Sequence, residues 1–384
     1  MKIKNRPMRK VLIITYYWPP AGGPGVQRWL KFVKYLREFD VEPVVYIPEN
    51  PHYPLVDESL NKEIPKDITI LKKRIFEPYS LSGIFSKKQT VTISSGIISA
   101  EKEQSFLQKL LLFIRGNFFI PDARKFWVKP SIKYLSDYIQ KNNIDTIVTT
   151  GPPHSVHLIG LGLKQKHKLR WIADFRDPWT SIGYHTRLKL TETSEIKHKN
   201  LEEKVLKGAS GIITTSFTTK AEFEKLTDTP ITVITNGYDN FSPYEVELDE
   251  KFTISHIGSL LSGRDPKNLW KALGELVKEN VHFAEDFRLK LVGAVSDAVV
   301  NSIKKSGLEE HLELTGYVSH PEALRIQRSA QVLLLVEINS VETRGIIPGK
   351  LFEYMAAKRP VLALGPKKVG RGKDLAGGRL WQLF

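Results

Sequence analysis

Short apolar runs alternate with helical patterns along this chain, and the alternation occurs in two separate sets. Val11-Leu12-Ile13-Ile14-Thr15 is the first run and reads as a strand buried on both faces. Further strands are expected at Val41–Ile47, Ile68–Leu71, Thr146–Thr150, Arg170–Asp174, Gly211–Thr215 and Ile231–Thr235. A second set is expected at Phe252–Ile257, Arg288–Val292, Leu312–Leu314, Val332–Val336 and Val361–Leu364. Helical stretches lie between them, so each set predicts an α/β domain built on a doubly wound parallel sheet. A chain of 384 residues is also too long for one ordinary core. The expected division is a first domain at 1–240, an acidic, proline-containing linker at 241–250 and a second domain at 251–384.

Composition narrows the partners. The formal charge of +15 calls for an anionic partner: a phosphorylated substrate, an anionic membrane face or nucleic acid. Basic residues are spread along the chain, with no homeodomain, zinc-finger or RNP signature, which argues against nucleic acid. The chain has no cysteine, so it has no disulfide and no thiolate metal site, in keeping with a cytoplasmic protein. The basic start, Met1 to Arg6, is followed by too short an apolar run for a signal peptide, and no run reaches transmembrane length. Residues 75–128 interrupt the alternation, and the apolar, aromatic stretch Phe106–Pro121 is bordered by Lys102, Lys109, Arg115, Arg124, Lys125 and Lys129. It fits a membrane interface or a buried helix with snorkelling edges.

Several strand ends carry chemistry. The first strand runs into Gly22-Gly23-Pro24-Gly25 and a helix, the opening of a nucleotide-type domain. It is not a full dinucleotide fingerprint, because Arg28 holds the third glycine's place, nor a P-loop, because Gly-Lys-Ser/Thr is missing. A His154 loop and the loop Asp174-Phe175-Arg176-Asp177 follow two other strands, where ligands of open α/β sheets sit. In the second set, Gly258 opens a loop that reaches Arg264 and Lys267 before a helix. Pro348 suits the first turn of another helix, with Leu351, Phe352, Met355 and Ala356 on one apolar face and Pro360 ending it. Lys350 and Glu353 lie one turn apart there, a cation for a phosphate and a carboxylate for ribose hydroxyls. An exposed i,i+3 ion pair is the plain alternative, but two phosphate-type strand ends in one domain favour a nucleoside-diphosphate site.

These pieces, with Asn236-Gly237-Tyr238-Asp239, Gly316-Tyr317-Val318 and Pro348–Gly365, resemble the retaining nucleotide-sugar glycosyltransferases of the GT-B fold. The likeness is to the large family 4 group, and within it to bacterial members that build surface polysaccharides. It implies two Rossmann-like domains facing a cleft and transfer of a hexose from a UDP- or GDP-linked sugar to a glycan or lipid-linked acceptor. No cofactor and no metal are expected, and the basic, aromatic segment around Phe106–Pro121 makes the expected place the cytoplasm, peripheral on the inner face of the membrane. By the resemblance, Gly22, Gly23 and His154 face the transferred sugar and acceptor. Arg264, Lys267 and Lys350 then hold the diphosphate next to Gly258, and Glu353 holds the ribose. Asp174, Arg176 and Asp177 are acceptor-side candidates, with Asp177 either a base or one half of a buried Asp–Arg pair. The family usually has two glutamates separated by seven residues; Glu353 matches the second, and at the first this chain has Gly345, with Glu342 and Arg344 nearby. No Asp-x-Asp occurs, which argues against the metal-dependent GT-A alternative. A sugar-nucleotide epimerase of the same fold and a non-catalytic sugar-nucleotide binder are the other readings. After Gly365-Pro366 the glycine-rich, basic tail no longer resembles the family, so a second domain shortened at its C-terminus is expected.

Overall fold

The computed structural model describes residues 8–77, 106–181, 185–238, 246–338 and 347–365. Asp239, Lys102, Glu342, Arg344, Gly345 and the tail from Pro366, all singled out above, lie outside them. The described residues form two compact units, one ending at Thr235 and one starting at Asn236.

The first unit is a seven-stranded parallel sheet: β1 (Arg9–Thr15), β2 (Val41–Pro48), β3 (Thr69–Lys73), β4 (Thr146–Gly151), β5 (Arg170–Phe175), β6 (Gly211–Thr214) and β7 (Ile231–Val233). Their order is β3-β2-β1-β4-β5-β6-β7. Side chains alternate across the sheet. Leu12 and Ile14 pack with Trp127 and Trp171 on one face, while Val11 and Ile13 pack with Trp29 and Leu30 on the other. The order reverses between β1 and β4, and that reversal opens a crevice beyond their carboxyl ends.

The second unit repeats the plan with five parallel strands: β8 (Phe252–Ile257), β9 (Phe287–Val292), β10 (Leu312–Gly316), β11 (Val332–Val336) and β12 (Val361–Leu364). Their order is β10-β9-β8-β11-β12, so the reversal lies between β8 and β11. Ile254, Leu289 and Leu334 pack with Trp270 on one face, and Ile257, Leu333 and Ile326 pack with Tyr354 on the other. Each expected strand is present, most of them one or two residues longer or shorter at an end.

The helix at Gly349–Ala357 departs from the sequence reading in three ways. Pro348 is its N-cap, not its first turn, and Lys358 in the left-handed conformation ends it two residues before Pro360. Its buried face is Leu351, Tyr354 and Ala357, while Met355 is exposed. The rotation follows from Tyr354, whose hydroxyl reaches the backbone of β8 (3.0 Å from Ile257 N) and must be inside to do so.

Candidate functional site

The second unit concentrates cations at the reversal of its sheet. The β8–β11 ladder pairs Val332 with Ile254 and Leu333 with Ser255, and goes no further. Both outer ladders continue, β8 with β9 to Ile257↔Val292 and β11 with β12 to Val336↔Leu364. The two central strands therefore part, and side chains satisfy the backbone groups this frees. Ile257 N–H donates to the Tyr354 hydroxyl at 3.0 Å, and His256 Nδ1 lies 2.8 Å from the Leu334 carbonyl. By contrast, β1 and β4 stay paired up to Thr15↔Thr150.

Lys350 stands in this opening, its Nζ 3.3 Å from His256 Nε2. Gly258 has φ +117° and packs so closely that a β-carbon there would lie 2.9 Å from the same ammonium. Glycine is thus required both for the backbone turn and for the approach of the amine. Gly293, just after β9, and Gly316, the last residue of β10, are also at positive φ. The Gly258 and Gly293 amides donate to Val292 and Gly316 carbonyls, both at 2.7 Å, so the three loops leave the sheet in step. Burial, with the charge of Arg264, brings the Lys350 amine down to about 8. Arg264 ends a short 3-10 turn at Ser262–Arg264, and its guanidinium lies 3.4 Å from Glu337. Its buried Nε has no hydrogen-bond partner among the described residues. Lys267 is exposed at the first position of the helix Lys267–Glu279. Two helices thus begin beside these side chains, and their free amide groups add to the attraction for an anion.

Glu353 lies one turn on from Lys350. Its two oxygens accept from His320 Nε2 (3.1 Å) and Gln327 Nε2 (2.9 Å). Burial alone would raise this carboxyl, but His320, Gln327 and Lys350 together hold it below the ordinary glutamate range. It is therefore an ionised acceptor held in a fixed place. The His320 and Gln327 contacts come from the helix His320–Ser329, which sequence spacing does not bring next to Glu353.

In the first unit, His154 is the N-cap residue of the helix Ser155–Lys166 and only 4 % exposed. Its ring lies flat against Trp179, centroids 4.8 Å apart, and neither ring nitrogen has a hydrogen-bond partner among the described residues. Burial first, and the charges of His157 and Arg176 after it, keep it neutral far below its ordinary value. A buried neutral imidazole with both nitrogens unsatisfied, at a strand's carboxyl end, is suited to a ligand's hydroxyls. Glu202 supports the stack by accepting from the amides of Trp179 (3.1 Å) and Thr180 (3.2 Å).

Asp174 is enclosed. It accepts from Arg28 Nη2 (3.0 Å), Trp29 Nε1 (2.6 Å) and Thr150 Oγ1 (2.9 Å), which commits it to the interior. A buried Asp–Arg pair is formed by Asp174 and Arg28, the residue in the third glycine's place, while Asp177 faces the charge of Arg176. Arg176 donates to the carbonyls of Gly151, Gly25 and Pro152, stapling the β4 loop to the glycine loop. Asp177 is half-buried, and that burial raises its carboxyl. Gly22 and Gly23 press against Leu55, with the Gly22 amide 2.9 Å from the Leu55 carbonyl. No group of three or more His, Cys, Asp or Glu suited to a metal ion occurs among the described residues.

Residues 251–374 match the family described as glycosyl transferases group 1. No curated protein matches the chain. Among solved structures, TarM aligns with a TM-score of 0.59 at 12% identity, covering 98% of this chain and 88% of its own. A TarM variant from S. aureus, crystallised with fondaparinux, α-GlcNAc-glycerol and UDP, aligns at 0.54 and 12% identity, covering 93% of this chain and 85% of its own. A glycosyltransferase from Rickettsia africae ESF-5 aligns at 0.54 and 15% identity, covering 95% and 82%. The fold is GT-B. In GT-B terms, the reversal between β8 and β11 belongs to the second Rossmann-like domain, within the span of the family match.

Proposed function

We propose that this GT-B protein is a metal-independent glycosyltransferase that moves a hexose from a UDP- or GDP-linked sugar, with retention at the anomeric carbon. The acceptor is a glycan or lipid-linked sugar of a cell-surface polysaccharide, and the protein works on the cytoplasmic side, docked on an anionic membrane surface. One observation carries this reading: Lys350, Arg264 and the ionised Glu353 are held at the splayed strand ends of the domain that matches group 1 glycosyl transferases. The co-crystallised UDP and α-GlcNAc-glycerol of the S. aureus relative are in keeping with it.

Charge builds on the leaving β-phosphate as the glycosidic bond loosens. Lys350 and Arg264 are the cations that meet it, with Lys267 on the rim. Preorganised donors of this kind are worth roughly 3 kcal/mol each in other enzymes. Glu353 accepts from the ribose hydroxyls, and Gly258 keeps the backbone close to the phosphates. In the first unit, His154 binds the transferred sugar or the acceptor through its unsatisfied nitrogens, with Gly22 and Gly23 beside the sugar. Asp177 remains the acceptor-side carboxylate. No described carboxylate is assigned as a nucleophile, so same-face attack by the acceptor is favoured over double displacement.

The test is to offer labelled UDP- and GDP-hexoses with an undecaprenyl-linked glycan extract as acceptor. Label transferred to the extract with release of nucleoside diphosphate is expected. Interconverted free sugar nucleotide would point to an epimerase, and unchanged bound ligand to a binding protein.

A further inference from the structure

We propose that His256 is the positioning residue of the anion-binding lysine, holding the Lys350 ammonium against Gly258 at the parted ends of β8 and β11. The ligand arm of the test below rests on the diphosphate reading of Lys350; the proposal itself does not.

The argument starts from the break in the ladder. Past Ser255 and Leu333 the two strands no longer pair, which leaves the Leu334 carbonyl to a side chain. His256 supplies it, Nδ1 to oxygen at 2.8 Å. A carbonyl only accepts, so Nδ1 carries the hydrogen. The ring is fully buried and neutral, pushed down to about 3 by burial and by the Lys350 charge. A neutral ring protonated at Nδ1 turns Nε2 as an acceptor toward Lys350 Nζ, 3.3 Å away, with the Ser259 backbone also against the ring. The ammonium therefore donates one hydrogen to His256 and keeps two for a ligand. The tautomer is set by the strand, and the lysine is set by the tautomer.

The other charged groups bearing on Lys350 are Arg264, Glu337 and Glu353. Arg264 is a cation, and Glu337 is already engaged by Arg264 at 3.4 Å. His256 is thus a neutral acceptor that steadies the charged amine without cancelling the charge an anion needs.

Two substitutions separate this from a purely structural role. His256→Asn keeps a donor at the Nδ1 position, and with it the Leu334 bond, but stops short of Lys350. His256→Gln reaches the lysine with an acceptor and gives up the close bond to Leu334. On the folded full-length protein, the pH dependence of Lys350 acylation by acetic anhydride is followed by peptide mass spectrometry. The expected result for His256→Asn is a fall of roughly one unit in the apparent amine pKa, with His256→Gln close to wild type. Titration with UDP and GDP at pH 7 should show roughly tenfold weaker binding for His256→Asn and little change for His256→Gln. A wild-type acylation profile in His256→Asn overturns the proposal, as does a Gln variant displaced as far as the Asn variant. Lys350→Ala separates the two readings. If it binds both nucleotides as wild type does, the diphosphate reading fails, while the acylation profiles still decide the role of His256.

Discussion

At the scale of single residues, the cations of the second unit differ in how they are held. Both are half-buried, but Lys350 lies beside His256 and Gly258, whereas Arg264 is tethered to Glu337. Both meet the developing charge in the proposed reaction. Lys350→Ala and Arg264→Ala should each lower kcat by about 10²–10³ in a folded protein. Steady-state transfer assays check this, and wild-type turnover in both variants would remove the assignment. The Arg28–Asp174 pair calls for a different kind of measurement. Both side chains are almost wholly buried, so Asp174→Ala strands a cation and should cost about 3–5 kcal/mol of stability. Arg28→Met with Asp174→Leu should lose far less, because no lone charge is left behind, and urea denaturation of both variants measures the difference. Lys350, Arg264, Gly258 and Glu353 are legible in the sequence because each sits in a short stretch whose spacing states its chemistry. Arg28 with Asp174, and His320 with Glu353, are not. Each pair joins residues far apart in sequence, and only the closing of the sheet brings them together.

At the scale of elements, the central strands among the described residues can be read from the chain because buried parallel strands are continuous apolar runs. By contrast, β3 (Thr69–Lys73) and β10 (Leu312–Gly316) are mostly exposed and are placed by the alternation with helices. The face of the helix Gly349–Ala357 cannot be read in the same way. Hydropathy favours Met355, but the Tyr354 hydroxyl is needed where β8 leaves β11, and packing follows the tyrosine. Tyr354→Phe keeps the ring and removes the acceptor of the buried Ile257 N–H. It should lower the stability of the second unit by about 1–3 kcal/mol, read as a drop in melting temperature. The strand-end histidines add a pH dependence. His157 in the first unit and His256 in the second are each brought down to about 3, chiefly by burial. Their ordinary value in an unfolded chain is about 6.5. Below that pH the unfolded chain takes up protons that the folded one refuses until about pH 3. The stability they contribute is therefore complete above pH 6.5 and lost as pH falls from there, by about 1.4 kcal/mol per unit for each histidine. Denaturant midpoints measured from pH 7.5 to 5 should decline, and less so in His157→Gln. A flat profile would show that both rings protonate freely in the fold.

At the scale of the whole molecule, a net charge of +15 has to be reconciled with exposed aromatic surface. The helix Phe106–Phe118 buries Leu112 but exposes Leu110, Phe113 and Phe118, the last at 63%. Its C-terminal end is anchored through Asn117, whose side-chain oxygen accepts from the Thr191 amide at 2.8 Å. Phe76 and Phe126 are exposed beside each other with centroids 5.8 Å apart, and Lys125 lies over the Phe119 and Phe126 rings. No helix among the described residues is long and apolar enough to cross a membrane. A firmly anchored element presenting aromatic rings among lysines is instead suited to the interface of an anionic bilayer, rings at the headgroup level and cations toward the phosphates. Each basic residue near such a surface contributes roughly 1 kcal/mol, and that part fades as salt rises, while the aromatic part does not. The protein should therefore co-sediment with phosphatidylglycerol vesicles at low salt and only partly release at high salt. Phe118→Ser with Phe126→Ser should abolish the salt-resistant fraction, and Lys109→Ser with Lys129→Ser should weaken binding mainly at low salt. Failure to sediment at low salt, or indifference to both pairs of substitutions, would assign these rings to the protein surface alone.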